Sequence, residues 1–536
     1  MRHVLSLLVL GSALACAQEG PPYYDPDRSL NKQGEAASAA VEAIRGGAGP
    51  EEVAGYFGEK SAEVRDRAFG RCSSARGRRG AARRPRALRG RRRPSWRGWP
   101  GVRRHPLRQG PRAPPKRGLG ARDQLAQLEA VWALGAIGDP ESAKPLERLY
   151  KKSRDYRVKG DALIAWAEVD PQGAKEAAEE ALEDKLPPVQ IAGLVALQRI
   201  DGTAALRGAK RLIEEEPKGR AREWAGRLIF AALDAIEAWT NRKSDPELGK
   251  ELVDVLIARL AKADGLPQHR IGETLGHLTG RRIGANADMW EGWWKSQRAS
   301  FEFPEPAKDD EDDKGKGAPK AGDGEDEPKG VKTGDEQTRV RFHGIPIYSN
   351  RLTFSQDISG GMNNPLDGDA SDSPSKMVFS KRELTRVLSQ LDRDVMGNVV
   401  FFSTEYYRVS DELLPLKRAR DKLIEFVREQ QTPKKVGKQG SHKGRSNLYD
   451  TLAFCMQDPQ IDTIFFLSEG GPNEGRFMRQ TRFMRHLDKL NRYQRVQVHC
   501  LQVSDSAGGA RFLKEVSAVT GGTYYSLDQI KAAHKE

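Results

Sequence analysis

Long apolar runs are missing from this 536-residue chain. The one apolar stretch that stands out, residues 4–10, is too short to cross a bilayer. No membrane-spanning segment is therefore expected. Cysteine is scarce. Of the four, Cys16 lies in the leader, Cys72 borders a basic segment, and Cys455 and Cys500 sit in apolar contexts that read as buried free thiols. No Cys/His spacing matches a zinc site. The chain also lacks a Gly-x-x-x-x-Gly-Lys-[Ser/Thr] run, a Gly-x-Ser-x-Gly elbow and a His-Glu-x-x-His pair. These absences argue against a built-in nucleotide motor, an α/β-hydrolase and a metalloprotease. The nine His are scattered, and none pairs with a Ser or Cys nucleophile. The expectation is a protein that is not an enzyme and has no small-molecule substrate.

One long stretch has no acidic residue and is crowded with arginine. Between Arg71 and Arg122 there are eighteen Arg, one Lys and no acid, so this segment carries +19 of the +14 total and the remainder is near −5. The basic character belongs to a short stretch and not to a face spread over a fold. Two readings of residues 71–122 stay open. It is a disordered arm able to contact nucleic-acid phosphates, or it is a GC-rich stretch read briefly in the wrong frame. The second is preferred. Glu63–Ala68 opens a helix whose apolar turns never arrive, and periodicity resumes near Gln124. Nucleic acid is not the expected partner.

What is present divides the chain into six parts. Residues 1–17 have a charged start, an apolar run and small residues, the grammar of a secretory signal. Ala15-Cys16-Ala17 fits cleavage before Gln18. Ala13-Leu14-Ala15-Cys16 resembles a lipoprotein box, in which case Cys16 carries lipid and tethers the chain. Export is expected, to the periplasm or beyond. Residues 18–70 read as helical and as the start of a repeat region, 71–122 as the basic segment, 123–297 as helical repeats, 304–337 as an acidic-polar disordered linker, and 338–536 as a separate domain.

The helical part repeats itself. Ala133-Leu134-Gly135-Ala136-Ile137-Gly138-Asp139-Pro140, Ala162-Leu163-Ile164-Ala165-Trp166 and Ala196-Leu197-Gln198-Arg199-Ile200-Asp201-Gly202 recur with Leu-to-Leu offsets of 29 and 34 residues. A period near 30 with Ala/Leu helices and Gly/Asp/Pro breaks predicts an all-α solenoid. Over residues 123–280 it resembles the short HEAT-like repeat family. Trp290, Trp293 and Trp294 read as a cap on the last layer, with an exposed aromatic platform as the alternative.

The last domain alternates apolar strands with amphipathic helices. Strands are expected at Leu352–Ile358, Asn398–Thr404, Thr463–Ser468, Val496–Val503 and Thr523–Ser526, and helices at Lys381–Leu391, Arg418–Gln430 and Phe477–Leu490. This is the pattern of a mainly parallel, doubly wound, Rossmann-like sheet. Four motifs occur in order: Asp357-Ile358-Ser359-Gly360-Gly361-Met362, Gly444–Asp450, Phe465–Pro472 and Phe512-Leu513…Thr520-Gly521-Gly522. Together they resemble the von Willebrand factor A (VWA) family over residues 340–530. That resemblance implies a metal-ion-dependent adhesion site holding Mg²⁺ or Mn²⁺. Its carried-over positions are Asp357, Ser359, Gly361, Ser446 and Glu469. Three depart from the family pattern: Gly361 lacks a hydroxyl, Ser446 replaces Thr, and Glu469 replaces Asp with one more methylene. The expectation is weak metal binding through Asp357, Ser359, Ser446 and Glu469, with water at Gly361, where a restored Ser should tighten it. The alternative is that Asp357 and Ser359 only hold their loop through backbone N–H groups. A basic run at Lys434, Lys435, Lys438, His442, Lys443 and Arg445 would favour a protein partner offering an acidic side chain.

The reading is an exported adhesion or scaffolding protein with two binding modules on a linker. The rivals are an accessory subunit of an enzyme or an unrecognised hydrolase, and a nucleic-acid binder acting through the Arg-rich segment.

Overall fold

The computed structural model describes residues 124–242, 244–304, 339–367, 372–432 and 444–534. The signal, residues 18–122, the linker at 305–338 and the basic run from Lys434 to Lys443 lie outside the described residues. The chain divides into two compact units, Met1–Ala205 with Phe477–His486, and Leu206–Arg476 with Leu487–Glu536.

Ten α-helices come first among the described residues: α1 Gln124–Ile137, α2 Ala143–Lys152, α3 Tyr156–Val169, α4 Pro171–Ala181, α5 Pro187–Ile200, α6 Gly202–Glu214, α7 Ala225–Glu237, α8 Pro246–Leu260, α9 Gly265–Thr279 and α10 Ala287–Gln297. Their starts follow local chemistry. Asp155 accepts from the N–H groups of Arg157 and Val158, and Asp170 and Asp245 cap α4 and α8 ahead of Pro171 and Pro246. Helices α3 and α5 are apolar on most sides, and Leu163, Ile164, Ile191, Leu194 and Leu197 are buried. Small residues let neighbours approach. A Cβ on Gly193 of α5 would meet the Ala178 carbonyl and the Ala181 Cβ of α4, each at 2.8 Å. At the chain end of this region, Trp290 and Trp294 are buried, their indole N–H groups donating to the Gly284 carbonyl and to Asp254.

The second unit carries the sheet. Its strands are β1 Arg341–Phe342, β2 Ile345–Pro346, β3 Arg351–Asp357, β4 Met396–Phe402, β5 Tyr406–Arg408, β6 Leu414–Pro415, β7 Thr463–Ser468, β8 Gln497–Gln502 and β9 Tyr524–Tyr525. Helices α11 Lys376–Gln390, α12 Leu416–Glu429, α13 Leu448–Cys455, α14 Gln480–Gln494, α15 Ala507–Thr520 and α16 Leu527–Ala533 connect or follow them. The main sheet has the order β5-β4-β3-β7-β8-β9, with β6 also paired to β4. Strands β3, β4, β7, β8 and β9 are parallel, while β5 and β6 run antiparallel to β4. The central strands are buried on both faces, which is why they read as unbroken apolar runs. Phe354 stacks on Phe465 and Phe402 on Phe466. Cys455 and Cys500 are buried free thiols, and burial pushes each up to about 12.

The architecture is therefore of the expected class, a helical region followed by a mainly parallel, doubly wound α/β sheet. Two features departed from the pattern read in the sequence. The antiparallel strands β5 and β6 are only three and two residues long, too short for alternation to register. The β1–β2 hairpin turns on His343 and Gly344, with φ of 47° and 90°. Both central residues lie in the left-handed region, as a type I′ turn requires. Among the described residues no helix is long and apolar enough to cross a membrane.

Candidate functional site

From β3 the chain runs to β4 on one side of the sheet and later returns to β7 on the other. Such a reversal opens a crevice beyond the carboxyl ends of the two central strands. Asp357 ends β3 and Ser468 ends β7. The sheet topology thus delivers both residues to one place, although 111 positions separate them.

Asp357 is the hub. Its Oδ1 accepts from the Ser359 N–H at 2.7 Å, and its Oδ2 accepts from the hydroxyls of Ser446 at 3.1 Å and Ser468 at 2.9 Å. One carboxylate therefore ties together the end of β3, the approach to α13 and the end of β7. Burial pushes the Asp357 carboxyl up to about 6, against the hydrogen bonds from Ser359 and Ser468 that favour its ionised form. Outside this hub the loops clasp each other. The Ser446 N–H donates to Asn473 Oδ1 at 2.6 Å, the Asn473 N–H returns to the Ser446 carbonyl, and the Gly360 N–H donates to the Gly444 carbonyl. Gly360 itself is exposed at the rim.

Glu469, the residue after β7, takes an unexpected position. A Cβ built on Gly361 would fall on its Oε2, 2.6 Å from its Cδ and 2.8 Å from its Oε1. The carboxylate thus fills the volume of the side chain that residue 361 lacks. Its Oε1 accepts from Lys376 Nζ at 2.6 Å, and both side chains are largely buried, at 21% and 11% exposure. Lys376 opens α11, which Ser375 caps through the Val378 N–H. Sequence reading missed Lys376 because 93 positions separate it from Glu469. One signal was available. A cation in the first turn of a helix opposes the macrodipole, so it needs a partner.

All four residues expected to hold metal, Asp357, Ser359, Ser446 and Glu469, are brought together. Their donor set does not fit a resident divalent ion. Mg²⁺ wants about six oxygens at about 2.0–2.1 Å in near-octahedral array. Here one hydroxyl is missing at 361, the Glu469 carboxylate lies in its place, and an ammonium already sits on that carboxylate. The Lys434–Lys443 run lies outside the described residues, while Arg445 pairs with Glu474 at 3.5 Å.

A second group was not foreseen. His343, Glu383 and His534 bring ligand atoms within 4.8 Å of one another, close enough to hold a metal ion. Nδ1 of His343 lies 2.9 Å from Nε2 of His534. Burial pushes His343 down to about 3. Glu383 already accepts two N–H groups from Arg386, both at 2.7 Å, and the His343 backbone N–H at 2.9 Å. No sequence signal links residues 191 positions apart in this way. At the opposite end of the strands lies a cavity of about 810 Å³, whose walls include His269, Arg270, Tyr348 and His499.

The PBS lyase HEAT-like repeat family matches residues 126–152, one helix pair comprising most of α1 and all of α2. No curated protein matches the chain. Among solved structures, the chain is similar to the PilB minor pilin from Streptococcus sanguinis, at 13% identity over 36% of this chain and 62% of that one, with a TM-score of 0.27. It is also similar to an aerotolerance-related membrane protein from Bacteroides fragilis, at 12% identity over 34% of this chain and 96% of that one, with a TM-score of 0.25. The match spans about six-tenths of the pilin chain.

Proposed function

We propose that this chain is an exported protein-binding or scaffolding protein with two binding surfaces. One is the crevice beyond β3 and β7, and the other is a HEAT-like solenoid extending over residues 123–297. The observation that carries the first surface is the convergence of three segments on buried Asp357, with Glu469, Lys376 and Gly360 nearer the rim. A rigid polar floor under a charged rim favours recognition of a polar protein surface. Two modules joined by a linker gain avidity when both engage one assembly. Residues 1–17 support export, with N-terminal sequencing of native protein expected to begin at Gln18 or to be blocked at Cys16; an intact Met1 would overturn it.

The binding reading is tested at the rim. Among the described residues a Cβ on Gly360 meets only the Gly444 carbonyl, at 4.0 Å, so Gly360→Trp adds bulk at the exposed rim. Full-length protein should capture a discrete partner from the cell envelope, and Gly360→Trp should lower recovery at least tenfold. Equal recovery by both proteins refutes the crevice as the binding surface. Turnover of a substrate abolished by Asp357→Ala would favour the enzyme reading instead.

A further inference from the structure

We propose that the Lys376 ammonium is the built-in cation of the crevice, replacing a divalent ion on Glu469 and presenting its remaining N–H groups to an acidic side chain of the partner. The inference rests on the protein-binding reading for its last clause only.

Three observations lead to it. The first is steric. Gly361 and Glu469 are complementary departures, because the carboxylate of the longer residue occupies the space of the absent side chain. Neither change alone would keep the loops packed. A Ser at 361 would strike the Glu469 carboxylate, and an Asp at 469 would leave a gap beside Gly361. The second is electrostatic. Lys376 Nζ contacts Glu469 Oε1 at 2.6 Å with only 11% of its side chain exposed, so the ammonium is held in the site and not in bulk solvent. A divalent ion bound by the same carboxylate would lie within a few ångströms of this charge and be repelled. The third is local. Lys376 stands in the first turn of α11, where the helix dipole disfavours a cation, and no acid in that turn offsets it. The pair with Glu469 supplies the compensation. An ammonium carries three donors, and Glu469 takes one, which leaves N–H groups suited to a carboxylate.

The ion can be tested without the partner. Mn²⁺ binding to the full-length chain is read by electron paramagnetic resonance, for the chain with Lys376 and for Lys376→Ala and Lys376→Arg. All three proteins carry His534→Ala, which removes a ligand of the separate His343–Glu383–His534 group, and in this background the chain with Lys376 and the Lys376→Arg chain should show no stoichiometric binding at about 1 mM ion. Lys376→Ala should bind at least tenfold more tightly, because Asp357 and Glu469 then lose their internal counter-charge. Mn²⁺ bound equally by the chain with Lys376 and the Lys376→Ala chain would overturn the proposal, as would no binding by any of the three. Should Lys376→Ala fail to fold, Mn²⁺ binding by Lys376→Arg matching that of a Gly361→Ser/Lys376→Met/Glu469→Asp protein in the same background overturns it equally. Partner capture repeated with chelator addresses the last clause. Recovery should be unchanged by chelator and lost in Lys376→Ala; recovery abolished by chelator in wild type overturns the inference. Failure of capture in every protein refutes the partner clause while the Mn²⁺ result stands.

Discussion

Glu129 of α1 is 6% exposed, and its carboxylate accepts from Arg482 Nη2 at 2.8 Å and lies 3.1 Å from His486 Nε2. The Arg482 guanidinium also lies over the Phe477 ring, and His486 packs its ring against Trp132 and Phe477. Burial by itself would raise the carboxyl, but the His486 hydrogen bond and the Arg482 charge outweigh it and bring it to about 2. Glu129→Ala removes a carboxylate to which the buried Arg482 guanidinium donates. Removing one partner of a buried pair costs about 3–5 kcal/mol. Linkage gives a similar figure. A fall from 4.5 to about 2 corresponds to roughly 3 kcal/mol. This contribution is present above pH 4.5 and is lost as pH falls toward 2. His486, pushed down to about 4 by burial, adds a loss of the same sign as pH falls from 6.5. Calorimetric unfolding of the full chain at neutral pH should place the Glu129→Ala transition on the order of 10 °C or more below wild type. The difference should shrink steadily toward pH 3. Glu129→Met combined with Arg482→Met should recover most of the loss, since apolar replacement of a whole buried pair is often neutral. A single-variant loss under about 1 kcal/mol, or a double variant no more stable than the single, would refute the argument.

Asp357→Ala strands the Ser359 N–H and the Ser446 and Ser468 hydroxyls and should destabilise the sheet unit by about 2–5 kcal/mol in urea unfolding; a loss below about 1 kcal/mol would mean that water replaces the carboxylate. Gly361→Ser should not tighten metal binding, contrary to the expectation from the family pattern. It should lower stability by about 1–3 kcal/mol by displacing Glu469 from Lys376, and Gly361→Ser with Glu469→Asp should regain part of that in the same assay. A Cβ on Gly522 would overlap the Val498 carbonyl and lie 3.0 Å from His499 N. Gly522→Ala should therefore disturb the β8–β9 pairing, read as faster amide exchange at Cys500; unchanged exchange there would show that the β9 edge shifts at little cost.

The sequence by itself determined the order of the elements and the class of the fold. Periodicity is a local property, so Ala/Leu helices with Asp and Pro at their starts, and apolar runs such as Thr463–Ser468, declare themselves within one window. The Asp357 and Glu469 loops were legible for the same reason, as short motifs at strand ends. Only the tertiary structure decided what those loops do to each other. Whether Glu469 reaches a metal or fills the space beside Gly361 depends on sheet order, which places β7 next to β3 and α11 over both loop ends. Glu383 was invisible as a site residue, because a charged side chain on an amphipathic helix looks the same whether it faces water or a partner, and Lys376 gave only the uncompensated cation in the first turn of its helix, not the carboxylate 93 positions away. Charge pairing across a fold leaves no periodic trace, and its partner is fixed by the path of the chain in space.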